Sequence, residues 1–238
     1  MDLKLVLFDL DGTLLPMEQE AFIKIYFGGL VQKLAPYGYD PKKLIDGVYA
    51  GTLAMTKNDG RATNEAVFWD AFCGMFGEAA REQMPIFEDY YRNEFQQVQK
   101  ICTLNPMASQ TVRTIKRMGL RVALATNPLF PAIATESRIR WTGLDPVEFE
   151  LYTTYETSSY CKPNLNYYRE LLEKLDVPAE NCLMVGNDVG EDMVAEQLGM
   201  KVFLMRDCVI NKQDVDISRY PNGGFAELLQ YVQVLLMM

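Results

Sequence analysis

Lys4-Leu5-Val6-Leu7-Phe8-Asp9-Leu10-Asp11-Gly12-Thr13-Leu14-Leu15 is the stretch whose reading decides the fold. Leu5 to Phe8 is apolar without polar alternation, the pattern of a strand buried on both faces in a parallel sheet. The run ends in two carboxylates, Asp9 and Asp11, then a glycine and a hydroxyl. In extended chain, residues i and i+2 point the same way, so both acids address one small volume. Gly12 permits a sharp turn after them. Ligands of open α/β sheets bind just past such strand ends. Like charges held this close call for a cation between them or a shared proton. The plain alternative is a hairpin turn at Asp11-Gly12, with Asp9 as a cap. It is disfavoured because further polar points follow later strands.

Working outward, residues 17–102 lack a convincing strand. Met17 to Leu34 places Phe22, Ile25, Tyr26, Leu30 and Leu34 at helical spacing, with Gly28-Gly29 as a weak point. Pro41 to Leu53 is a second candidate helix. Phe68, Phe72 and Phe76 recur every fourth residue, as do Phe87, Tyr91 and Phe95, with Val98 following. This predicts an inserted helical bundle whose aromatics most simply form its own core; a substrate cage made from them is the alternative. From Leu104 strands and helices alternate. Strands are predicted at Arg121–Ala125, Phe149–Thr153, Cys182–Val185 and Lys201–Met205. Helices are predicted at Met107–Met118, Pro131–Trp141, Asn166–Leu175, up to Leu198, and over Phe225–Leu236. Such alternation calls for an α/β fold: a doubly wound parallel-sheet, Rossmann-like core (residues 1–16 and 103–238) with an inserted all-helical cap domain (17–102). One sheet edge then carries Asp9 and Asp11, Thr126, Lys162, and Asp188 with Asp192.

Composition narrows the chemistry. The chain has 238 residues, is 49% hydrophobic and carries net charge −9, enough for a full core. An acidic chain without basic clusters argues against nucleic acid and anionic membrane as partners. No apolar stretch is long enough to span a bilayer, and Asp9 interrupts any signal-like N-terminus. Five scattered cysteines without a CxxC pair indicate neither a disulfide framework nor a zinc site, and fit a reduced, cytoplasmic protein. A monomer is favoured. There is no histidine. Ser-His-Asp and Cys-His nucleophile systems are therefore excluded, and acid–base work falls to carboxylates, lysine, tyrosine or cysteine.

Several carboxylates without histidine suit a hard divalent cation, most naturally Mg²⁺. A lysine and a threonine hydroxyl on the same edge suit a tetrahedral anion. One carboxylate can attack phosphorus, and the other can protonate the leaving oxygen and later activate water. Taken singly, each of these residues reads as a turn, cap or solvated loop residue. Together and in this order they read as a phosphoryl-transfer site.

The motifs resemble those of the haloacid dehalogenase superfamily, and among them the phosphatase-like members with a helical cap after the first strand. Asp9-Leu10-Asp11-Gly12-Thr13-Leu14 matches that family's first motif and Thr126, ending RVALAT, the second. Lys162 in Lys162-Pro163-Asn164 matches the third, and Gly186 to Asp192 the fourth. The resemblance implies Asp9 as nucleophile and Mg²⁺ ligand. It implies Asp11 as general acid/base, ligating the metal through its backbone carbonyl. Thr126, Asn127 and Lys162 would hold the phosphoryl group, and Asp188 would complete the metal site. Asn187 stands where the family usually has aspartate, so Asn187 and Asp192 are expected in the outer shell; were the loop shifted, Asp192 would be the direct ligand. The implied activity is a Mg²⁺-dependent phosphatase acting on a small phosphorylated metabolite. A phosphomutase, or a non-catalytic domain binding phospho-ligands or protein, is the alternative. In the cap, the polar loop Lys57-Asn58-Asp59-Gly60-Arg61 is the candidate for leaving-group contacts, with Lys57 or Arg61 reaching a second anionic group; the alternative is a solvated connection.

Overall fold

The computed structural model describes residues 2–237. Five strands form one parallel sheet among these residues: β1 (Leu5–Phe8), β2 (Arg121–Leu124), β3 (Cys182–Gly186), β4 (Lys201–Met205) and β5 (Asn222–Gly223), in the order β2-β1-β3-β4-β5. β1 lies between β2 and β3 and every residue of it is buried. Its side chains alternate between two layers. Val6 and Phe8 join the core beneath α5 (Pro106–Arg117) and α8 (Phe225–Met237), while Leu5 and Leu7 join the core beneath α7 (Leu165–Leu175). Each fully buried side chain of this size contributes roughly 1.5–3 kcal/mol. The strand order reverses between β1 and β3, and the crevice at that reversal is where ligands of doubly wound sheets sit.

The insert follows β1. It comprises α1 (Gln19–Leu34), α2 (Pro41–Thr56), α3 (Asn64–Phe76), α4 (Met84–Arg92) and a tighter 3-10 segment, Glu94–Ile101. The chain leaves and rejoins the core side by side. Met17 forms an antiparallel bridge with Cys102, and Thr103 N–H donates to the Pro16 carbonyl at 3.1 Å. α1 runs unbroken through Gly28-Gly29, where the missing Cβ admits the Tyr90 ring, 3.1 Å from where a Cβ would stand.

Three local expectations are corrected. The helical spacing through Phe95 and Val98 is not one helix: Asn93 ends α4, its side-chain amide donating to the Asp89 carbonyl (3.1 Å) and carboxylate (2.8 Å). Such side-chain bonds compete with the helix ladder. Residues 149–153 run beside β2, with Leu124 N–H donating to the Leu151 carbonyl at 2.8 Å, but form only a bridge at Tyr152. β5 arises in a polar stretch that gave no strand signal. Among the described residues, no helix is long and apolar enough to cross a membrane.

Candidate active site

The ends of β1, β2 and β3 bring the predicted groups together. Asp9 follows β1 directly and is nearly buried, at 8% exposure. Its Oδ1 accepts from Lys162 Nζ at 3.0 Å, and its Oδ2 lies 3.1 Å from the Thr13 hydroxyl. Asp11, two residues on, is held by an ion pair from Oδ2 to the guanidinium of Arg138. Its other oxygen, Oδ1, is buried and has no hydrogen-bond partner among the described residues. Gly12 makes the turn with φ +83°, and a Cβ there would stand 2.4 Å from the Asn187 amide nitrogen. Only glycine meets both demands without strain.

Thr126 lies just past β2, buried, with its carbonyl accepting from the Thr153 hydroxyl (2.6 Å) and the Tyr167 hydroxyl (2.9 Å). This fixes the backbone beneath a side chain on the cavity wall. Asn127 donates to Glu191 at 3.0 Å. Lys162 is buried between two acids, donating to Asp9 at 3.0 Å and to Asp192 at 2.6 Å. Asp192 uses its second oxygen to accept from the Asp188 backbone N–H at 2.9 Å. Gly186 leaves room for this, since a Cβ there would stand 2.1 Å from the Asp192 carboxylate. Asp188 accepts from the N–H groups of Gly190 and Glu191 (2.8 and 3.0 Å) and lines the cavity. Asn187 bridges Thr13 (2.9 Å) and the Cys208 carbonyl (2.7 Å), tying the loop after β3 to the turn after β1.

The charges are poorly balanced. Asp9, Asp11, Asp188, Glu191 and Asp192 share the edge with Lys162 and Arg138. Burial would discharge Lys162, but Asp192 and Asp9 offset this and hold its pKa well above the ordinary lysine value. Burial raises the Asp11 carboxyl, and Asp9 raises it further, against the pull of Arg138. Burial likewise raises Glu191 and pushes Asp192 up to about 7, where Lys162 opposes it. Excess buried acid with raised pKa is the state a bound cation relieves. The donors are all oxygen, and among the described residues no three acids form a preassembled cage. Oxygen donors are the chemistry that suits a hard divalent cation.

Over this floor lies a cavity of about 660 Å³ between the core edge and α1–α4. Sequence reading assigned the bundle aromatics to its core. Phe22, Tyr26, Phe68, Trp69, Phe87 and Tyr91 are indeed buried, and they also line this cavity. Lys57 and Arg61 do not line it. The Arg61 side chain is 88% exposed and paired with Asp59. Their loop instead docks on the segment leading to Lys162. Gly60 packs against the Tyr160 ring, and buried Asn64 donates to the carbonyls of Pro128 and Tyr160, both at 3.3 Å.

Arg138, Thr13 and Glu191 were not singled out from sequence. Arg138 sits in α6 (Ala132–Trp141) in a pattern, Arg-Ile-Arg, that reads as a solvated face. It is nonetheless buried, its guanidinium 4.6 Å from the Phe130 ring centre and bonded to Asp11. Thr13 was legible as part of its motif but had no assigned partner.

Residues 3–199 match the family of haloacid dehalogenase-like hydrolases. The chain is 25% identical to the phosphoglycolate phosphatase of Vibrio parahaemolyticus, over 98% of this chain and 97% of that protein. It is 27% identical to the glyceraldehyde 3-phosphate phosphatase of Methanocaldococcus jannaschii over 55% of this chain, a match spanning 57% of that relative's length. The fold is shared with the crystal structure of 2-haloacid dehalogenase from Pseudomonas syringae pv. Tomato DC3000, at TM-score 0.65 and 19% identity, covering 98% of this chain and 99% of that one. With its four motifs gathered at one edge of the sheet and a match over most of its length, the chain belongs to the haloacid dehalogenase-like hydrolases.

Proposed function

We propose that this hydrolase is a Mg²⁺-dependent phosphatase that cleaves a small phosphomonoester through an aspartyl-phosphate on Asp9. The observation that carries the reading is the pair of unlike acids after β1. Asp9 follows β1 at the cavity floor, oriented by Lys162 at 3.0 Å and the Thr13 hydroxyl at 3.1 Å, as a positioned nucleophile requires. Asp11 has a raised pKa and one oxygen free of partners, as a proton donor requires. The names of the two relatives support phosphate rather than halide as the leaving chemistry.

In this scheme an Asp9 oxygen bonds to phosphorus as the bond to the leaving oxygen breaks, and Asp11 gives that oxygen its proton. Water then attacks phosphorus. Asp11 takes the water's proton, the bond to Asp9 breaks, and phosphate leaves. Lys162 and the Thr126 hydroxyl, with Asn127 beside them, hold the phosphoryl oxygens. Asp9 and Asp188 by carboxylate, and Asp11 by its backbone carbonyl, would hold Mg²⁺, with Asn187 and Asp192 behind them. Bound there, the ion supplies charge neutralisation to the phosphoryl oxygens. We place the core at residues 1–16 and 103–238 and the cap at 17–102, as the Met17–Cys102 bridge supports. The free cysteines fit a reducing, cytoplasmic setting.

The test is Asp9→Asn, assayed with a generic aryl phosphate and Mg²⁺. A folded variant is expected to lose roughly 10³-fold or more in kcat. Turnover near the parent rate would overturn the nucleophile assignment.

A further inference from the structure

We infer that the ester this site takes is the phosphate of an uncharged, ring-bearing alcohol, not of a small hydroxy acid or polyol. The inference rests on the phosphatase reading and adds its substrate class. It starts from the charge of the cavity wall. Acids crowd the phosphate end, and on the cap side the wall is chiefly rings, Phe22, Tyr26, Phe27, Phe68 and Trp69 among them, with Glu18, Gln19 and Thr52 as polar members and no cation. Lys212 is the one basic residue among the described residues that line the cavity. It is an exposed core residue near Ile210, which pairs with Asp188, so it belongs to the acidic end. No lysine or arginine of the described residues 17–102 lines the cavity, and several point to other partners: Lys33 to Asp89 and Glu94, Arg61 to Asp59, and Lys43 to the Phe76 ring.

A leaving group bearing its own carboxylate would thus enter an apolar chamber without a countercharge. Desolvating an unpaired carboxylate is strongly unfavourable, so such esters are rejected rather than merely unrewarded. Size argues the same way. At about 660 Å³ the chamber lies within the range that encloses drug-sized ligands, far more than a two- or three-carbon fragment fills.

Ring geometry separates an aromatic occupant from an alkyl chain. The wall rings lock each other edge-to-face: Tyr26 against Phe130 (5.6 Å between centres, 82°), Phe68 against Trp69 (5.5 Å, 84°), and Trp69 against Phe87 (5.2 Å, 85°). The Tyr26 and Tyr91 hydroxyls bond to each other at 3.0 Å, and Tyr90 donates to the Tyr26 carbonyl at 2.7 Å. These bonds fix the tyrosine rings, while the buried Trp69 indole N–H, also in the wall, has no hydrogen-bond partner among the described residues and offers one donor to a ring-borne acceptor. A stiff aromatic wall is preorganised for a flat ring, which it meets at little entropic cost. A flexible chain would lose its own rotamer freedom there.

The test compares kcat/KM with Mg²⁺ for naphthylmethyl phosphate, octyl phosphate, phosphoglycolate and glycerol phosphate, all alkyl esters, so that leaving-group reactivity does not decide the ranking. In parallel, calorimetry measures binding of naphthylmethylphosphonate and phosphonoacetate, neither of which can be hydrolysed. Naphthylmethyl phosphate, the naphthyl ester of the set, is expected to exceed phosphoglycolate and glycerol phosphate by roughly a hundredfold and octyl phosphate by roughly tenfold. The aromatic phosphonate is expected to bind while phosphonoacetate does not. Phosphoglycolate, glycerol phosphate or octyl phosphate turned over as well as the naphthyl ester would overturn the substrate class while leaving the phosphatase standing. Binding of the aromatic phosphonate without turnover of any ester would do the reverse. Failure of the aromatic phosphonate to bind overturns the proposal. Phe27→Ala, a change at a partly exposed ring, locates the site. It should raise KM several-fold more for the naphthyl ester than for methyl phosphate. An equal rise for both esters puts the ring elsewhere and overturns the assignment.

Discussion

Asp11 carries two oxygens in different situations. Oδ2 is held by Arg138, and Oδ1 has no partner. A carboxyl fixed by one oxygen keeps its other aimed, which is what proton delivery in a set direction needs. Asp11→Asn keeps the shape and removes the transferable proton, so it is expected to slow turnover by roughly 10²–10⁴-fold. Rapid-quench assays of a slow-leaving ester would show an unchanged rate if Asp11 had no such role. Arg138→Met leaves Asp11 without its countercharge. It should cost up to about 3 kcal/mol in urea unfolding, the lower end for broken buried pairs, because Asp11 still opens on the cavity. Arg138 also shows what sequence hides. Its bond to Asp11 spans 127 positions, and nothing local distinguishes it from exposed Arg140 on the same helix. Asp9, Asp11, Thr126 and Lys162 were legible because each sits just past a strand or at a fixed motif offset, where position alone declares the edge it faces.

Among elements, α2 and α3 pack most tightly. Gly47 and Gly51, one turn apart on α2, face the Phe68, Phe72 and Phe76 rings of α3. A Cβ on Gly51 would stand 2.4 Å from Phe68, and one on Gly47 would stand 2.5 Å from Phe76. Replacing a helical glycine by alanine ordinarily stabilises by about 1 kcal/mol. Here overpacking reverses the sign, and Gly51→Ala should cost about 1–3 kcal/mol in thermal or denaturant unfolding. A second element contact is the pairing of Arg113 on α5 with Glu148, at 2.8 Å. The hydrogen bond from Arg113 holds the Glu148 carboxyl below its ordinary value of 4.5. A carboxylate with a depressed folded pKa contributes stability above its unfolded pKa and loses it as pH falls through the folded one. Glu148→Gln should therefore be less stable than the parent at about pH 6, with the difference shrinking as pH falls below 4.5. Being partly exposed, the pair is worth only about 0–1 kcal/mol. Elements were legible where periodicity was strong, as in β1, α5 and α7. The break at Asn93 was not, because it depends on a side-chain amide outcompeting the ladder. β5 was not, because Asn222-Gly223 pairs through backbone alone.

On the scale of the whole molecule, burial decides the chemistry of the cysteines. All five are free. Burial pushes Cys161 and Cys182 up to about 12 and Cys102 up to about 11. Thiolate is the reactive form, so a native protein titrated with a disulfide reagent at about pH 8 should yield at most the two partly exposed thiols, Cys102 and Cys208, and all five after unfolding. Prompt reaction of Cys73, Cys161 or Cys182 in the folded protein would mean the core opens readily. At this scale the fold class and the insertion were legible from alternation and its interruption. The cavity was not, since its walls form only when the insert's aromatics meet the core edge.

The paired doorway at Met17 and Cys102 has an architectural consequence. Because the two crossings are neighbours, the path from Pro16 to Thr103 is one hydrogen bond long. A short turn can close it. The sheet and its acids therefore make no topological demand on what is threaded through that gap. Lineages can trade lids of any length there while the chemical floor stays fixed, and protein engineers can graft a different roof on the same foundations.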